Sequence, residues 1–204
     1  MEEKEITSIF VVGLGGQGTI MFSKILSTAL LRSGFNLIVK ETTGGTHRGS
    51  PVFSEIKFGS SGLAPGIGDG EADVAVGLEP LECLRYARKY SPSSVVLVST
   101  HPIPPPLTIS GKPYPPLKAI LDGLKELTGK LIQFNATKIA VEDCGHQAVA
   151  NMVMLGVFTG LRIIKGLKKE RVMEAVQELT PEASRDMNIA AFEKGLQLSV
   201  RLDE

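Results

Sequence analysis

Ile6-Thr7-Ser8-Ile9-Phe10-Val11-Val12-Gly13-Leu14-Gly15-Gly16-Gln17-Gly18-Thr19-Ile20 is the stretch whose reading decides the fold. Ile6 to Val12 is apolar and largely β-branched, a glycine-rich run follows, and apolar residues then recur at 21, 22, 25, 26, 29 and 30, the spacing of one helix face. The order is strand, glycine turn, helix. Gly34 stands where a helix end favours a left-handed residue, and Phe35 to Glu41 reads as a second strand. The opening is therefore a Rossmann-like βαβ unit with parallel strands.

Within it, Gly13-x-Gly15-x-x-Gly18 has dinucleotide-fold spacing, with Gly16 and Gln17 completing the turn. Gly13 permits the sharp turn, Gly15 lets the backbone approach an anion, and Gly18 lets the helix pack on the strand. Free N–H groups at the helix start favour negative charge there. Glu41 stands where such a fold places its ribose-binding acid. Taken alone, these residues suggest NAD; a purely structural glycine turn is the competing reading. Two features count against a nucleotide. Glu41 opens a second glycine-rich loop, 41–51, that runs into a strand rather than a helix, and no acid or base suited to hydride transfer is recognisable downstream.

Beyond the opening, strands are expected at 51–58, 72–77, 94–100 and 130–134, and helices at 80–90, 117–128, 145–165, 168–179 and 182–202. Residues 101–116 hold seven of the twelve prolines and form a stiff excursion. Short apolar strands alternating with helices read as buried on both faces. They predict an α/β fold: a three-layer α/β/α sandwich with a mostly parallel sheet, with residues 1–204 as a single domain.

With 22 Lys+Arg against 22 Asp+Glu and no basic block, nucleic-acid binding is disfavoured. No apolar run approaches the roughly 20 residues that span a bilayer. The opening MEEKEIT lacks the basic-then-apolar order of a secretory signal, so a cytoplasmic chain is expected. Cys83 and Cys144 read as structural thiols, because an iron–sulfur cluster normally takes about four cysteines. His47, His101 and His146 lack metal-ligand spacing, and no metal is assigned.

GLGGQG at 13–18, ExxGxxxRG at 41–49, EADVAVGLEPLECLR at 71–85, the proline segment, Gly145, Asn151 and Gly156, then Asn188 and Gly195, together resemble the gamma subunit or domain of 2-oxoacid:ferredoxin oxidoreductases. Within that pyruvate, ketoisovalerate and indolepyruvate family, the nearest likeness is to the beta subunit of the indolepyruvate branch. His47-Arg48-Gly49-Ser50 stands where many relatives carry Gln-Arg-Gly-Gly.

The resemblance implies a subunit of an enzyme that oxidatively decarboxylates a 2-oxoacid to an acyl-coenzyme A and reduces ferredoxin. Thiamine diphosphate and the iron–sulfur clusters are expected in catalytic partner subunits, and coenzyme A as a substrate of the complex. This chain alone is expected to hold no cofactor, supply no catalytic residue and be inactive. By the same resemblance, Gly13, Gly15, Gly16, Gln17 and Gly18 shape one loop of the site face, with Glu41, Gly44, Arg48 and Gly49 in the loop beside it. Arg48 clamps a phosphate or a partner carboxylate, or pairs within the chain with Glu41 or Glu55. The alternatives are a free-standing nucleotide-binding dehydrogenase and a ligand-binding or assembly module.

Overall fold

The computed structural model describes residues 6–43, 49–59, 63–104 and 113–202. Gly44, His47, Arg48 and the proline stretch at 105–112 therefore lie outside the described residues. Six strands, β1 (Ile6–Leu14), β2 (Asn36–Thr43), β3 (Pro51–Gly59), β4 (Val74–Gly77), β5 (Val95–Ser99) and β6 (Lys130–Phe134), form one sheet in the order β2-β3-β1-β4-β5-β6. The helices are α1 (Thr19–Arg32), α2 (Pro80–Arg85), α3 (Leu117–Leu127), α4 (Ala136–Cys144), α5 (Ala150–Gly160), α6 (Lys169–Leu179) and α7 (Arg185–Leu202).

The period-two alternation of β1 sorts its side chains onto two faces. Ile9 and Val11 enter a core built with Phe22 and Leu26 of α1, Val153 and Phe158 of α5, Val172 of α6 and Phe192 of α7. Phe10 and Val12 face the other way, against Cys83 of α2 and Ile120 and Leu124 of α3. β4 and β5 divide in the same manner, so both faces of the central sheet are covered.

β1, β4, β5 and β6 pair in parallel, whereas β3 runs antiparallel to both β1 and β2. The sheet is thus mixed, with five strands in one direction and β3 opposed. This corrects the expected opening unit, since β2 does not pair with β1. The physical reason is in the side chains. Val52, Ile56 and Phe58 of β3 are buried, while Asn36, Lys40, Glu41 and Thr43 of β2 are exposed and suit an edge. Burial on both faces holds for β1, β4 and β5 but not for β2.

The helix expectations need three adjustments. α2 stops at Arg85 and a 3₁₀ turn follows at Ala87–Lys89. The expected helix at 145–165 spans only Ala150–Gly160. An unanticipated helix, α4, precedes it, capped by the Asn135 side chain accepting from Lys138 N at 2.8 Å and ended by Gly145 at φ +80°. α5 and α7 cross glycine to glycine: a Cβ on Gly156 would lie 2.1 Å from Phe192 O, and one on Gly195 2.2 Å from Val153 O. That contact accounts for two of the residues that carried the family resemblance. No described helix is long and apolar enough to cross a membrane.

Candidate functional site

The glycine turn is closed by its own glutamine. Gln17 Oε1 accepts from Leu14 N at 2.7 Å, and Gln17 Nε2 donates to Leu78 O at 2.9 Å, so one carboxamide staples the ends of β1 and β4. Gly13 is still within β1, and its lack of a side chain is what matters. A Cβ there would lie 2.9 Å from Thr19 Oγ1 and 3.0 Å from both Gln17 Oε1 and Leu78 Cβ. Left-handed backbone falls instead at Gly16 (φ +98°) and Gly18 (φ +80°). Gly18 is the N-cap of α1, and a Cβ on it would lie 2.3 Å from Asn151 Nδ2. The close approach that Gly18 permits is therefore to α5, not to the strand. No side chain caps α1 and no acidic residue occupies its first turn, so the positive end of its dipole is left for another anion.

Because β2 and β1 point the same way, the loops that follow them emerge on one edge of the sheet. Gly15 N donates to Ser50 O at 2.9 Å and ties the two loops together there. Gly49 (φ +90°) is exposed beside that contact. Glu41 is exposed on β2, opposite Ser54, which itself pairs with Val11 of β1. It lies two strand spacings, about 9–10 Å, from β1. Of the two partners weighed for Arg48, Glu55 is buried and already engaged by Lys89 at 3.3 Å, Lys40 at 3.6 Å and Ile67 N at 3.0 Å.

Between the glycine turn and the ends of β4, β5 and β6 lies a cleft of about 550 Å³. It occupies the carboxyl edge of the parallel strands, where open α/β sheets place their ligands. Three buried polar atoms in or beside it, Ser99 Oγ, Asn151 Oδ1 and Thr19 Oγ1, have no hydrogen-bond partner among the described residues. Such atoms are costly unless a ligand or water serves them. His101 and His146, distant in sequence, both line the cleft. His146 Nδ1 accepts from Ala148 N at 3.1 Å and so holds the turn before α5. In the sequence these histidines lack metal-ligand spacing, and nothing there brings them together. His101 stands two residues past β5 and His146 two residues past α4, positions whose convergence only the fold shows.

Glu79, two residues past β4, fixes the wall of the cleft from behind. Its buried carboxylate accepts from Glu82 N at 2.8 Å, Ile103 N at 3.2 Å and Tyr114 Oη at 2.6 Å, pinning both flanks of the proline excursion. Burial, reinforced by the hydrogen bond to Glu79, pushes the Tyr114 phenol well up, so Tyr114 remains a donor. Burial also raises the Cys83 thiol to about 12. A thiolate there is strongly disfavoured, and Cys144 lies on α4, against the opposite face of the sheet. Among the described residues no three His, Cys, Asp or Glu side chains gather to hold a metal. These donors do not fit an iron–sulfur cluster or the divalent ion that accompanies a diphosphate cofactor.

A mixed sheet with one inserted antiparallel strand, a glutamine-stapled glycine turn and a ligand-sized cleft at the carboxyl edge define an α/β module that presents a binding face. The chain matches the family model for pyruvate ferredoxin/flavodoxin oxidoreductase over residues 8–198, and it belongs to that family as a gamma-type subunit of a 2-oxoacid:ferredoxin oxidoreductase. It is 37% identical over 191 residues to the indolepyruvate oxidoreductase subunit IorB of Methanothermobacter thermautotrophicus, covering 92% of this chain and 95% of that protein. With the pyruvate/ketoisovalerate oxidoreductases common subunit gamma of Thermococcus kodakarensis, identity is 28% over 193 residues, covering 92% and 94%. Among solved structures, the keto/oxoacid ferredoxin oxidoreductase gamma subunit of Geobacter sulfurreducens superposes with a TM-score of 0.70 at 25% identity, covering 98% of this chain and 99% of that one. The 2-oxoglutarate:ferredoxin oxidoreductase of Magnetococcus marinus shares the fold, with a TM-score of 0.75 at 20% identity. There the matched region is 98% of this chain and 32% of the longer one.

Proposed function

We propose that this chain is the single-domain, gamma-type subunit of a cytoplasmic complex that converts an aryl pyruvate such as indolepyruvate to its acyl-coenzyme A with reduction of ferredoxin. The observation that carries the substrate class is the identity gap: 37% to an indolepyruvate oxidoreductase subunit against 28% to a pyruvate/ketoisovalerate gamma subunit, over nearly equal lengths. Thiamine diphosphate and the clusters belong to partner subunits, where the first supplies the electron sink for decarboxylation.

This chain's residues bind and orient. Gly13, Gly15, Gly16, Gln17 and Gly18 form the fixed wall of the site face, with Glu41, Gly44, Arg48 and Gly49 in the loop beside it. The uncapped start of α1 attracts negative charge, such as a phosphate of coenzyme A or a partner carboxylate. Asn151 Oδ1 and Ser99 Oγ offer hydrogen bonds that no group among the described residues takes up. By the family pattern, Arg48 supplies a cation to this face. The free-standing dehydrogenase reading has only the glycine spacing and the position of Glu41 in its favour.

The test is to copurify the native complex and compare kcat/KM for indolepyruvate, pyruvate and 2-oxoglutarate. Indolepyruvate is expected to be preferred, and preference for either of the others overturns the substrate assignment. The chain alone is expected to turn over none of them. Arg48→Ala is expected to lower acyl-coenzyme A output or complex formation, and wild-type values in both remove Arg48 from the site.

A further inference from the structure

We propose that His146 is a ligand-binding residue of the cleft at the carboxyl edge of the sheet. Its ring is held in the neutral form that donates from Nε2, and with Asn151 as acceptor it recognises an uncharged group bearing both an N–H and an acceptor, a carboxamide or an aminopurine edge. This rests on the reading above of the cleft as the face that takes coenzyme A, and it names the part of the ligand held at this wall.

The chain itself orients the ring. His146 Nδ1 accepts from Ala148 N at 3.1 Å and caps the 3₁₀ turn Gln147–Val149 that leads into α5. A ring nitrogen that accepts carries no proton, so the proton of the imidazole sits on Nε2. His146 is exposed and lines the cleft, and its Nε2–H meets no acceptor among the described residues. Asn151 is oriented in the same manner. Its Nδ2 donates to Gly18 O at 3.4 Å, which leaves Oδ1 as the free end, and that atom is buried without a partner among the described residues. Backbone groups thus preset one donor and one acceptor in the cleft before a ligand arrives.

The rest of the lining favours an uncharged group at this wall. Among the described residues that line the cleft there is no lysine, arginine, aspartate or glutamate, and Leu78, Ile103, Ala136 and Met154 make much of it apolar. A phosphate held here, away from the start of α1, would be desolvated without a cation. An amide carries no charge to desolvate; it gives its N–H to Asn151 Oδ1 and accepts from His146 Nε2. Coenzyme A has this chemistry in two places, the amides of its pantetheine arm and the edge of its adenine. Its phosphates fall to the uncapped start of α1.

Asparagine and glutamine separate the two ends of the ring, because the asparagine Oδ1 falls where Nδ1 was and the glutamine Nε2 where the ring Nε2 was. Asn135 already caps α4 in this way, accepting from Lys138 N at 2.8 Å. In the native complex His146→Asn is expected to raise KM for coenzyme A about three- to tenfold with kcat unchanged, while the Tm of the full chain holds. His146→Gln is expected to do the reverse, with KM near wild type and Tm lowered by about 2–4 °C. A purely structural role predicts a KM that follows Tm, and that pattern overturns the inference. Long-range proton–nitrogen NMR of the labelled chain at about pH 8, above the ordinary imidazole range, should place the His146 proton on Nε2, and a proton on Nδ1 overturns it as well. S-methylpantetheine and adenosine, tested as competitors of coenzyme A, identify the source: the fragment held at this wall competes less well in His146→Asn, whereas pyrophosphate competes equally in variant and wild type. If neither fragment is weakened, or pyrophosphate is, the inference fails. Ala148→Trp fills the cleft from an exposed position. A raised KM there with wild-type KM in His146→Asn removes only His146, and wild-type KM in both removes the cleft reading and this inference with it.

Discussion

Gly18→Ala isolates what the glycine turn demands. Gly18 has φ +80°, where an alanine costs about 1–2 kcal/mol. The new Cβ would also lie 2.3 Å from Asn151 Nδ2 and 2.9 Å from its Cγ. Asn151 is only 6% exposed and donates to Gly18 O at 3.4 Å, so it cannot swing aside without losing that contact and disturbing its neighbours. Overpacking of this kind costs about 1–3 kcal/mol. The two effects sum to roughly 2–5 kcal/mol, or about 4–20 °C in Tm for a chain of this length. Urea denaturation of Gly18→Ala, Asn151→Ala and the double variant separates them. Asn151→Ala removes the collision but not the backbone cost, so Gly18→Ala should be milder in that background by at least about 1 kcal/mol. Additivity within about 0.5 kcal/mol, or a single-variant loss below that figure, would refute the packing role assigned to Gly18.

Three further outcomes are expected. Tyr114→Phe removes the 2.6 Å donor to the buried Glu79 carboxylate and should cost about 1.5–3 kcal/mol in urea melts, and an unchanged midpoint would show that the excursion is held by other contacts. Burial raises the Glu82 carboxyl, against the Arg85 guanidinium and with Glu79 adding to the rise. Its contribution to stability is thus complete below its unfolded value and lost as pH rises through the raised folded one. Wild type should therefore lose Tm relative to Glu82→Gln across that window, whereas a difference independent of pH contradicts the assignment. Finally, Ellman's reagent near pH 8 should modify the half-buried Cys144 in the native protein and reach Cys83 only after denaturation, because the Cys83 thiol is fully buried and raised to about 12.

The strand–turn–helix opening was legible because apolar periodicity switches from two to 3.6 across the glycines. Strand pairing was not. Side-chain pattern shows which residues are buried but not which strand lies alongside, and β3 enters between β1 and β2 through partners that no local rule names. α4 was missed although Asn135 is an ordinary N-cap, because its buried face comprises little more than Ala136 and Ala140. At the site, the spacing of Gly13, Gly15 and Gly18 marked the place but misassigned the duties. Gly13 yields to side-chain crowding and Gly18 to a residue of α5, contacts that exist only once the chain has folded. Asn151 appeared in the sequence reading as part of the resemblance, and its physical place against Gly18 became visible only in three dimensions.

The inserted strand also dictates a schedule for the nascent chain. β2 and β3 form a hairpin whose pairs run from Thr43–Val52 out to Asn36–Gly59, so they can zip as soon as both have left the ribosome. β1, although translated first, pairs on one side with β3 and on the other with β4, beginning at Ile9–Val74. At about 5–20 residues per second, that second neighbour arrives roughly 3–13 s after Ile9 itself. Throughout this interval Ile9-Phe10-Val11-Val12 is an apolar strand without both flanks, the type of segment that seeds aggregation. Glu2, Glu3, Lys4 and Glu5 directly precede the strand in sequence, where charged gatekeeper residues are expected to oppose its self-association while it waits. Changing the three glutamates to glutamine should lower soluble yield during synthesis or refolding while leaving the Tm of the finished protein unchanged, and an undiminished yield would show that β1 is shielded by other means.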